Sequence, residues 1–441
     1  MQQVIQANLK DNDNIEPVFS HFETQLNGER SSAWHQKRKA ALEELKSLTY
    51  PTTKNEEWKY TNIAKVLAND YAFNAPSDLT KEEISKFSLS ELEAHKLVFV
   101  NGIFREEFSD YSSEKGLHIL SLKAAYQAHA DLIEAHFSEI ASTKEEPFTA
   151  LSTAFAFNGV FILAEKSAVA SKPIFILNIT DTSDYPVIAQ PRNLVIAREN
   201  SEVTVIEDFV SVGGKPAFLN YVSEFKVEQS AKVDHYKLQN KGDNNFYIGT
   251  TQVHQSDKSN YNNTVATLGG GLIRNNLNIL LDGEYCEAFM NGLYMLKDKD
   301  HVDNHTMVDH LKPNSYSNEM YKGIMDGHST GVFNGKIYVR QYAQKTNAFQ
   351  ENKNILLSEN ATVDTKPQLE IWADDVKCSH GATTGALDEE PLFYLRSRGI
   401  GEDKARALLM NAFAEDVISR IKSETFKSHI ETLISNRLEN R

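Results

Sequence analysis

The pattern of apolar and polar positions divides the chain into three regions, and the first, residues 1–155, is predicted to be mainly helical. Residues 33–45 combine a helix-forming composition with an apolar stripe. A second helix is predicted over residues 121–137. Between them, residues 97–100 form a short apolar run that ends at an Asn-Gly pair, a pattern typical of a strand and its turn.

The second region, residues 156–386, alternates short β-branched and aromatic runs with polar turns. Residues 193–197, 202–206 and 277–281 are examples of such runs. Small or polar clusters precede many of them, and several of these clusters recur at intervals of about 25 to 30 residues. This sequence pattern favours a solenoid of stacked strands, in which each coil buries its apolar face against the neighbouring coils. A β-sandwich or barrel remains the alternative, because it also gives short strands between turns.

The third region, residues 387–441, is predicted to be helical. Asp388 and the two glutamates after it lie where the dipole of a first helical turn favours acidic residues, and this helix is expected to end at Arg398-Gly399. A second helix is predicted from residue 402 to about residue 421. Its apolar stripe is expected to consist of Ala405, Leu408, Leu409, Ala412, Phe413 and Val417. The helices would cap the solenoid or form a docking surface.

Charge and composition exclude several classes of protein. The 441 residues carry a net charge of −15, with 46 Lys and Arg against 61 Asp and Glu. Such a field repels phosphate backbones, so we expect no nucleic-acid partner. The first residues lack the basic and apolar segments of a secretory signal, and no run reaches the roughly 18 apolar residues of a membrane span. We therefore expect no membrane partner and a cytoplasmic location.

Two cysteines, Cys286 and Cys378, are too few for a disulfide framework and favour a reducing compartment. Cys286 has no imidazole beside it and is expected to be a core residue. The chain has no phosphate-cradling loop, so we expect no ATP site of its own, and it has no nucleophile elbow or zinc-protease motif. The glycine cluster at residues 269–271 is interpreted as a turn.

The densest polar segment contains three histidines and several carboxylates between Asp300 and His310. If this segment is a strand, His301, Asp303 and His305 share one face. Such residues can bind a divalent metal. We favour a structural interpretation, with turn contacts and hydrogen bonds on the strand, and leave metal binding open.

A sharper feature is the Cys-Ser-His segment near the end of the second region. In an extended strand, Val376, Cys378 and His380 share one face. A thiolate and a neutral imidazole can together bind a soft or borderline metal such as iron, or handle sulfide. Two ligands cannot complete a site, so the remaining ligands would come from another subunit. The alternative is that both are packing residues, since a lone cysteine is often a small buried hydrophobe.

Several longer segments resemble the SufB/SufD family of iron–sulfur cluster assembly scaffolds, on its SufD side. The resemblance is strongest over residues 280–420 and weaker elsewhere. The segments that carry it are residues 55–61, 331–339, 343–350, 365–385 and 392–400.

The resemblance implies a fold and an assembly. The fold is a mainly β structure with α elements: a right-handed parallel β-helix flanked by N-terminal and C-terminal helical regions. The chain would pair with a SufB-like subunit through the β-helix and dock a SufC-type ATPase through its C-terminal helices. A cysteine desulfurase system would deliver sulfur to the complex. The isolated chain could instead form a homodimer, and the chain itself would be a non-catalytic scaffold.

The resemblance also implies the roles of particular residues. His380, with Cys378 beside it, corresponds to the position implicated in holding a nascent iron–sulfur cluster at the interface with SufB. The cluster would be transient and shared between the two subunits. A flavin is suggested for the whole complex, without any residue here to locate it. The residues implied in ATPase docking are Leu392, Phe393, Tyr394, Arg396, Arg398 and Gly399.

Two other functions stay open. One is a β-helix enzyme acting on polysaccharides, a class that would use clustered carboxylates on an exposed face. Asp298, Asp300 and Asp303 offer a weak version of such a cluster. The other is a purely structural subunit, in which Cys378 and His380 have only packing roles.

Overall fold

The computed structural model describes residues 4–26, 29–112 and 114–439. Residues 1–3 and 440–441, the ends of the two predicted helical regions, lie outside the described residues. In the N-terminal region the strands are β1 Ile5–Ala7, β2 Tyr71–Phe73, β3 His95–Val100, β4 Ile103–Phe104 and β5 Leu117–Ser121. Its helices are α1 Ile15–Thr24, α2 Ala33–Ser47, α3 Ala64–Ala68, α4 Lys81–Ser85, α5 Leu122–Ala128, α6 Ala130–His136 and α7 Pro147–Ala154.

The central region consists of strands. They are β6 Val160–Ala164, β7 Ile174–Thr182, β8 Val187–Ala189, β9 Arg192–Ala197, β10 Glu202–Gly213, β11 Ala217–Val227, β12 Lys232–Gln239, β13 Asn245–Gln255, β14 Asn260–Thr267, β15 Leu272–Leu281, β16 Glu287–Leu296, β17 His301–His310, β18 Tyr316–Met325, β19 Thr330–Val339, β20 Asn347–Leu356, β21 Thr362–Ile371 and β22 Lys377–Gly385. The C-terminal helices are α8 Glu389–Ser397, α9 Glu402–Ile418 and α10 Glu424–Glu439.

Successive strands from β10 onward alternate between two sheets, and neighbours within each sheet are parallel. We name the sheet that ends in β21 sheet A and the sheet that ends in β22 sheet B. One coil takes 27 to 31 residues, as the first residues of successive sheet B strands show. These aligned residues are Glu202, Lys232, Asn260, Glu287, Tyr316, Asn347 and Lys377. The predicted parallel solenoid is confirmed, and the sandwich or barrel alternative is wrong.

One corner of the solenoid repeats in every coil. A residue with left-handed backbone recurs there, at φ of 58° to 65°, in Asn200, Ser230, Lys258, Tyr285, Asn314 and Lys345. The residue after each of these is small and fully buried: Ser201, Ala231, Ser259, Cys286, Ser315 and Thr346. The side chains stack along the solenoid because the coils are in register. Cys286 is therefore a core residue, as predicted, and its thiol donates to the Ser256 carbonyl at 3.1 Å.

Other elements cover the outer faces of the two sheets. Apolar residues of α1, α2 and α7 pack with Phe218, Ile248 and Leu272 of sheet A. Helices α9 and α10 pack on the outer face of sheet B. Strand β3 continues sheet B parallel to β7, and β1 and β2 continue sheet A. Whether the three predicted regions fold as separate domains stays a prediction.

Two sequence-based predictions of helices need correction. The single helix predicted over residues 121–137 is two helices, α5 and α6, broken at His129 with φ −140° and ψ 46°. The break lets Leu122 of α5 and Ile133 of α6 join the same buried cluster. In α9, Leu408 and Ala412 are exposed. The buried face of α9 consists of Ala405, Met410, Ala414, Val417 and Ile418.

The glycine cluster at residues 269–271 lies in the turn between β14 and β15, as predicted. A Cβ on Gly271 would lie 1.8 Å from the Asp243 carbonyl oxygen, so this turn needs glycine there. None of the helices in the described residues has the length and apolar character to cross a membrane.

Candidate functional site

The solenoid ends in two long strands, β21 and β22, that have no following coil in the part of the chain that the structure describes. Each pairs on one side only, β21 with β19 and β22 with β20. All residues of β22 except Cys378 are exposed. We name this end of the solenoid, formed by β21 and β22, the open end.

Cys378 and His380 lie on the interior face of β22. Cys378 is aligned with Ala348 and His380 with Gln350, and aligned residues of parallel strands share a face. Ala348 is fully buried between the sheets, and Gln350 is 3% exposed. Cys378 packs against this core and is half-buried, whereas His380 is exposed. The predicted sharing of one strand face is therefore observed, at a Cα spacing of about 6.6 Å.

The two side chains place a thiol and an imidazole two residues apart on the same strand face. Burial raises the pKa of the Cys378 thiol, against an opposing backbone hydrogen bond with Ala348, so a neighbouring cation or metal is needed to favour the thiolate. Within residues 4–26, 29–112 and 114–439, no three His, Cys, Asp or Glu side chains come together to hold a metal ion.

Behind His380 lies a row of buried polar side chains that sequence reasoning missed. Gln350 Nε2 donates to Glu319 Oε2 at 2.7 Å, and the Thr306 hydroxyl donates to the other oxygen of that carboxyl. Thr306 comes from sheet A, so the row crosses the interior of the solenoid. Burial raises the pKa of Glu319 to about 7, and the hydrogen bonds from Thr306 and Gln350 oppose that rise. Counting back from His380 in steps of one coil leads to Gln350 and then to Glu319, and this interval is the sequence signal that could have identified them.

The outer face of sheet B carries a groove at the same level. It has a volume of about 450 Å³ and is lined in part by Asn318, Phe349, Ser379 and Arg420. Arg420 follows α9, so the groove separates the C-terminal helices from the exposed strand β22.

The histidine-rich segment forms β17, and His301, Asp303 and His305 share its outer face as predicted. Asp303 is fully buried and accepts hydrogen bonds from Thr61 Oγ1 at 2.5 Å and from Arg274 Nη1 at 2.7 Å. His305 Nε2 lies 3.0 Å from the other Asp303 oxygen, and His301 Nε2 lies 2.9 Å from the Thr61 hydroxyl. These contacts join the N-terminal region to sheet A, which supports the structural interpretation.

A cleft of about 570 Å³ lies beside this network, between the N-terminal region and the outer face of sheet A. Its charged groups are mostly paired. Glu57 contacts Lys336 at 2.5 Å and His305 at 3.6 Å, and these partners lower the pKa of Glu57 to about 2. Arg274 lies over the Trp58 ring at 3.7 Å. The segment 55–61 thus anchors the N-terminal region on sheet A.

The three aspartates proposed for a polysaccharide-active site do not converge on an exposed face. Asp303 is held in the network just described. Asp300 is 6% exposed and contacts Arg437 Nη2 at 3.1 Å, while Asp298 is exposed and contacts Lys297 at 3.7 Å. The arrangement lacks the paired, accessible carboxylates that glycoside hydrolysis uses.

Helix α8 presents an exposed aromatic pair. Phe393 is 73% exposed and Tyr394 is 57% exposed, although both are large apolar side chains. Leu392, which precedes the aromatic pair in this helix, is buried against the rest of the protein. The predicted docking residues therefore divide into an exposed pair and a buried anchor.

The remaining predicted docking residues shape the end of α8. Arg396 Nη1 lies 3.2 Å from Glu402 Oε2 of α9, and the Arg398 guanidinium lies 5.3 Å from the centre of the Tyr394 ring. Gly399 has φ of +86°, a left-handed conformation typical of a helix C-terminus. The Arg398 charge therefore lies close to Tyr394, whereas the Arg396 charge is paired with Glu402.

Comparison with known proteins identifies the family. The model of the SUF-system FeS cluster assembly SufBD core domain matches residues 175–413, which include the open end. The model of the SufBD N-terminal region matches residues 10–176. The chain belongs to the SufB/SufD family. Members of this family are components of iron–sulfur cluster assembly, so the resemblance found in the sequence is confirmed.

Relatives in the SufB/SufD family match nearly the whole chain. An iron–sulfur cluster assembly SufBD family protein of Synechocystis is 31% identical over 93% of each chain. The iron–sulfur cluster assembly protein SufD of Escherichia coli is 31% identical over 90% of this chain and 91% of its own length. SufD of Bacillus subtilis is 26% identical over 91% of this chain and 93% of its own. The matches support the SufD side of the family.

Proposed function

We propose that this chain is the SufD-type subunit of a SufBCD scaffold and that its open end contributes Cys378 and His380 to a nascent iron–sulfur cluster. The observation that carries the proposal is the placement of two metal-binding residue types on one strand face. A thiol and an imidazole share the interior face of the last strand, half-buried and exposed respectively. Iron accepts both donors, and a cluster needs more ligands than two.

A SufB-like subunit is the partner that supplies the missing ligands. The free outer edges of β21 and β22 offer backbone donors and acceptors for a second solenoid. A second copy of this chain could use the same edges, which would give a homodimer when the chain is isolated. Sulfur comes from a cysteine desulfurase system, and the cluster is cargo that leaves after assembly. A location in the cytoplasm fits this reducing chemistry.

A SufC-type ATPase is the partner for α8. The exposed pair Phe393 and Tyr394 supplies apolar contact area, and Arg396 and Arg398 supply charge at its rim. Leu392 and Gly399 fix the helix that carries them. The ATPase provides nucleotide hydrolysis to the complex, and this chain acts as a non-catalytic scaffold. A flavin in the whole complex is part of the proposal, and no residue of this chain is assigned to it.

The test of this function is His380→Ala in a complex reconstituted with the SufB-like and SufC-type partners. We expect the complex to assemble normally and the yield of cluster, measured as bound iron and sulfide, to fall about tenfold or more. His328→Ala is the matched control, because His328 is also an exposed histidine of the solenoid but lies at a turn before β19. An unchanged yield in His380→Ala would favour a purely structural subunit and reject the proposed site.

A further inference from the structure

Gln350 has a buried carbonyl oxygen without a hydrogen-bond partner among the described residues. Its side chain is 3% exposed, and its amide nitrogen is committed to Glu319 at 2.7 Å. The Oε1 atom on the other side of the amide has no hydrogen-bond partner in the part of the chain that the structure describes. A buried acceptor left unpaired costs folding free energy, so such atoms indicate a strained or functional position.

The orientation of the Gln350 amide is fixed by its neighbours. Glu319 takes the Nε2 donor, and Thr306 of sheet A holds Glu319 from the opposite side. The absence of a side chain at Gly335 of β19 makes room for the Gln350 amide, because a Cβ there would lie 2.2 Å from Gln350 Nε2. With the nitrogen directed at Glu319, one coil further into the solenoid, Oε1 remains for a donor on the other side.

The residue aligned with Gln350 on its open side is His380. His380 is the register partner of Gln350 on β22, and Glu319 is the partner of Gln350 on β18. Aligned residues on neighbouring strands are about 4.8 Å apart, so an imidazole N–H on the interior face lies within reach of Oε1. An imidazole that gives one N–H to a fixed acceptor presents the lone pair of its other nitrogen.

We propose that Glu319 and Gln350 are positioning residues for His380: Gln350 Oε1 accepts a ring N–H when a partner covers the open end, and the other ring nitrogen is thereby directed at the cluster. This inference rests on the proposed function of His380. It adds that the tautomer of His380 is set from inside the solenoid. Thr306, Glu319 and Gln350 form a chain of hydrogen bonds that ends at the ligand.

The test measures the tautomer of His380 directly. In the reconstituted complex, only this subunit carries ¹⁵N-histidine, and solid-state NMR of the sedimented complex resolves protonated from unprotonated ring nitrogens. His380→Gln identifies the signals. We expect one neutral tautomer to dominate by about fivefold to tenfold. In Gln350→Leu the ratio should fall to within about twofold of equality.

Variants at Glu319 separate positioning from packing. Glu319→Leu removes the acceptor that orients Gln350 and should also equalise the tautomers, whereas Glu319→Gln keeps a carbonyl oxygen there and should retain the wild-type ratio. Glu351→Leu is the matched control, because Glu351 lies on the same strand as Gln350 but on the outer face, where it pairs with Lys353 at 2.7 Å. It should leave the ratio unchanged.

Iron(II) binding to the same complexes gives a second measurement. Gln350→Leu and Glu319→Leu should weaken it about tenfold or more, and Glu319→Gln and Glu351→Leu should not. A tautomer ratio that stays at the wild-type value in both Gln350→Leu and Glu319→Leu overturns the positioning role. That outcome is distinct from failure of the proposed function, which requires an unchanged cluster yield in His380→Ala.

Discussion

The two ends of the solenoid differ in how their strands finish. At the N-terminal end, β4 and β1 are two and three residues long and pair antiparallel with the preceding strands of the sheets. At the open end, β21 and β22 are ten and nine residues long, parallel to their neighbours and unpaired along one edge within the described residues. Short edge strands resist pairing with another chain, and long free ones invite it. The first end completes the fold, and the second is suited to an assembly.

The solenoid interior differs between the two ends in the same way. Near the N-terminal end, buried Glu207 lies 3.2 Å from His235 and 3.4 Å from Lys237. Burial would raise the pKa of Glu207, but Lys237 and His235 outweigh it and lower the pKa to about 2. Near the open end, the partners of Glu319 among the described residues are the uncharged Thr306 and Gln350, and burial raises its pKa to about 7. One carboxyl is a paired charge, and the other is neutral only below about pH 7.

The largest expected effect comes from Glu207→Gln. This substitution leaves Lys237, whose side chain is 4% exposed, as a buried charge without its carboxylate. Removing one partner of a buried pair costs about 3 to 5 kcal/mol. We expect a loss of that size in the free energy of unfolding, measured by urea denaturation followed by circular dichroism.

Glu319→Gln is the matched control for that experiment. At pH 5 the buried carboxyl is neutral, so the isosteric amide should cost less than about 1.5 kcal/mol. Equal losses in the two variants would show that the two glutamates have the same charge state and would contradict the comparison between the ends.

The second prediction concerns how the contribution of Glu319 to the free energy of unfolding changes with pH. Burial raises its pKa from 4.5 to about 7, so between these values the folded chain binds more protons than the unfolded chain. Stability contributed by this carboxyl is therefore complete below pH 4.5 and is lost as the pH rises to 7. The shift corresponds to about 3 kcal/mol.

Urea denaturation of wild type and Glu319→Gln at pH 5, 6, 7 and 8 checks this. Between pH 5 and pH 8, the unfolding free energy of the glutamine variant should rise relative to that of the wild type by about 2.5 kcal/mol. Glu146 and Asp208 also have pKa values raised to about 7 by burial, but both proteins contain them, so their contributions cancel in the difference. A difference that does not vary with pH would mean that Glu319 is ionised throughout.

The solenoid could be predicted because each coil repeats the same local pattern. A polar corner, a small residue and an alternating run recur at nearly constant intervals, as at Ser230 and Lys258. The strand predicted at residues 97–100 is confirmed as β3. Strands such as β2 could not be predicted, because their pairing is long-range. Ala72 of β2 is aligned with Val187 of β8, and no local pattern connects two such distant positions. The prediction of the buried residues of α9 was wrong in part, because apolar residues occur on several faces of that helix.

The sequence predicted the two candidate ligands on the last strand, but it did not predict the buried residues behind them. The chemistry of a thiol and an imidazole two residues apart identifies Cys378 and His380, and strand alternation gives their shared face. Gln350 and Glu319 carry no such signal, since each is an ordinary polar residue in its own segment. Only the register, which aligns residues one coil apart, joins them to His380. Applying the coil interval to a candidate ligand is the step that sequence reasoning lacked.

The smallest expected effect on stability comes from Ala382→Pro at the open end. The Lys377 N–H bonds to the Thr346 carbonyl of the preceding coil, and in a parallel strand alternate residues point to opposite neighbours, so the Ala382 N–H points to the free edge. Proline there removes only an unpaired donor, and unfolding free energy should change by less than about 0.5 kcal/mol. Thr383→Pro is the control, because its N–H points to β20 and its loss should destabilise the coil.

Sedimentation of the isolated chain and a pull-down with the SufB-like subunit should show that Ala382→Pro abolishes association through this edge. If association persists in the folded Ala382→Pro protein, the free edge is not the contact surface, and the contrast between a completed end and an assembling end is wrong.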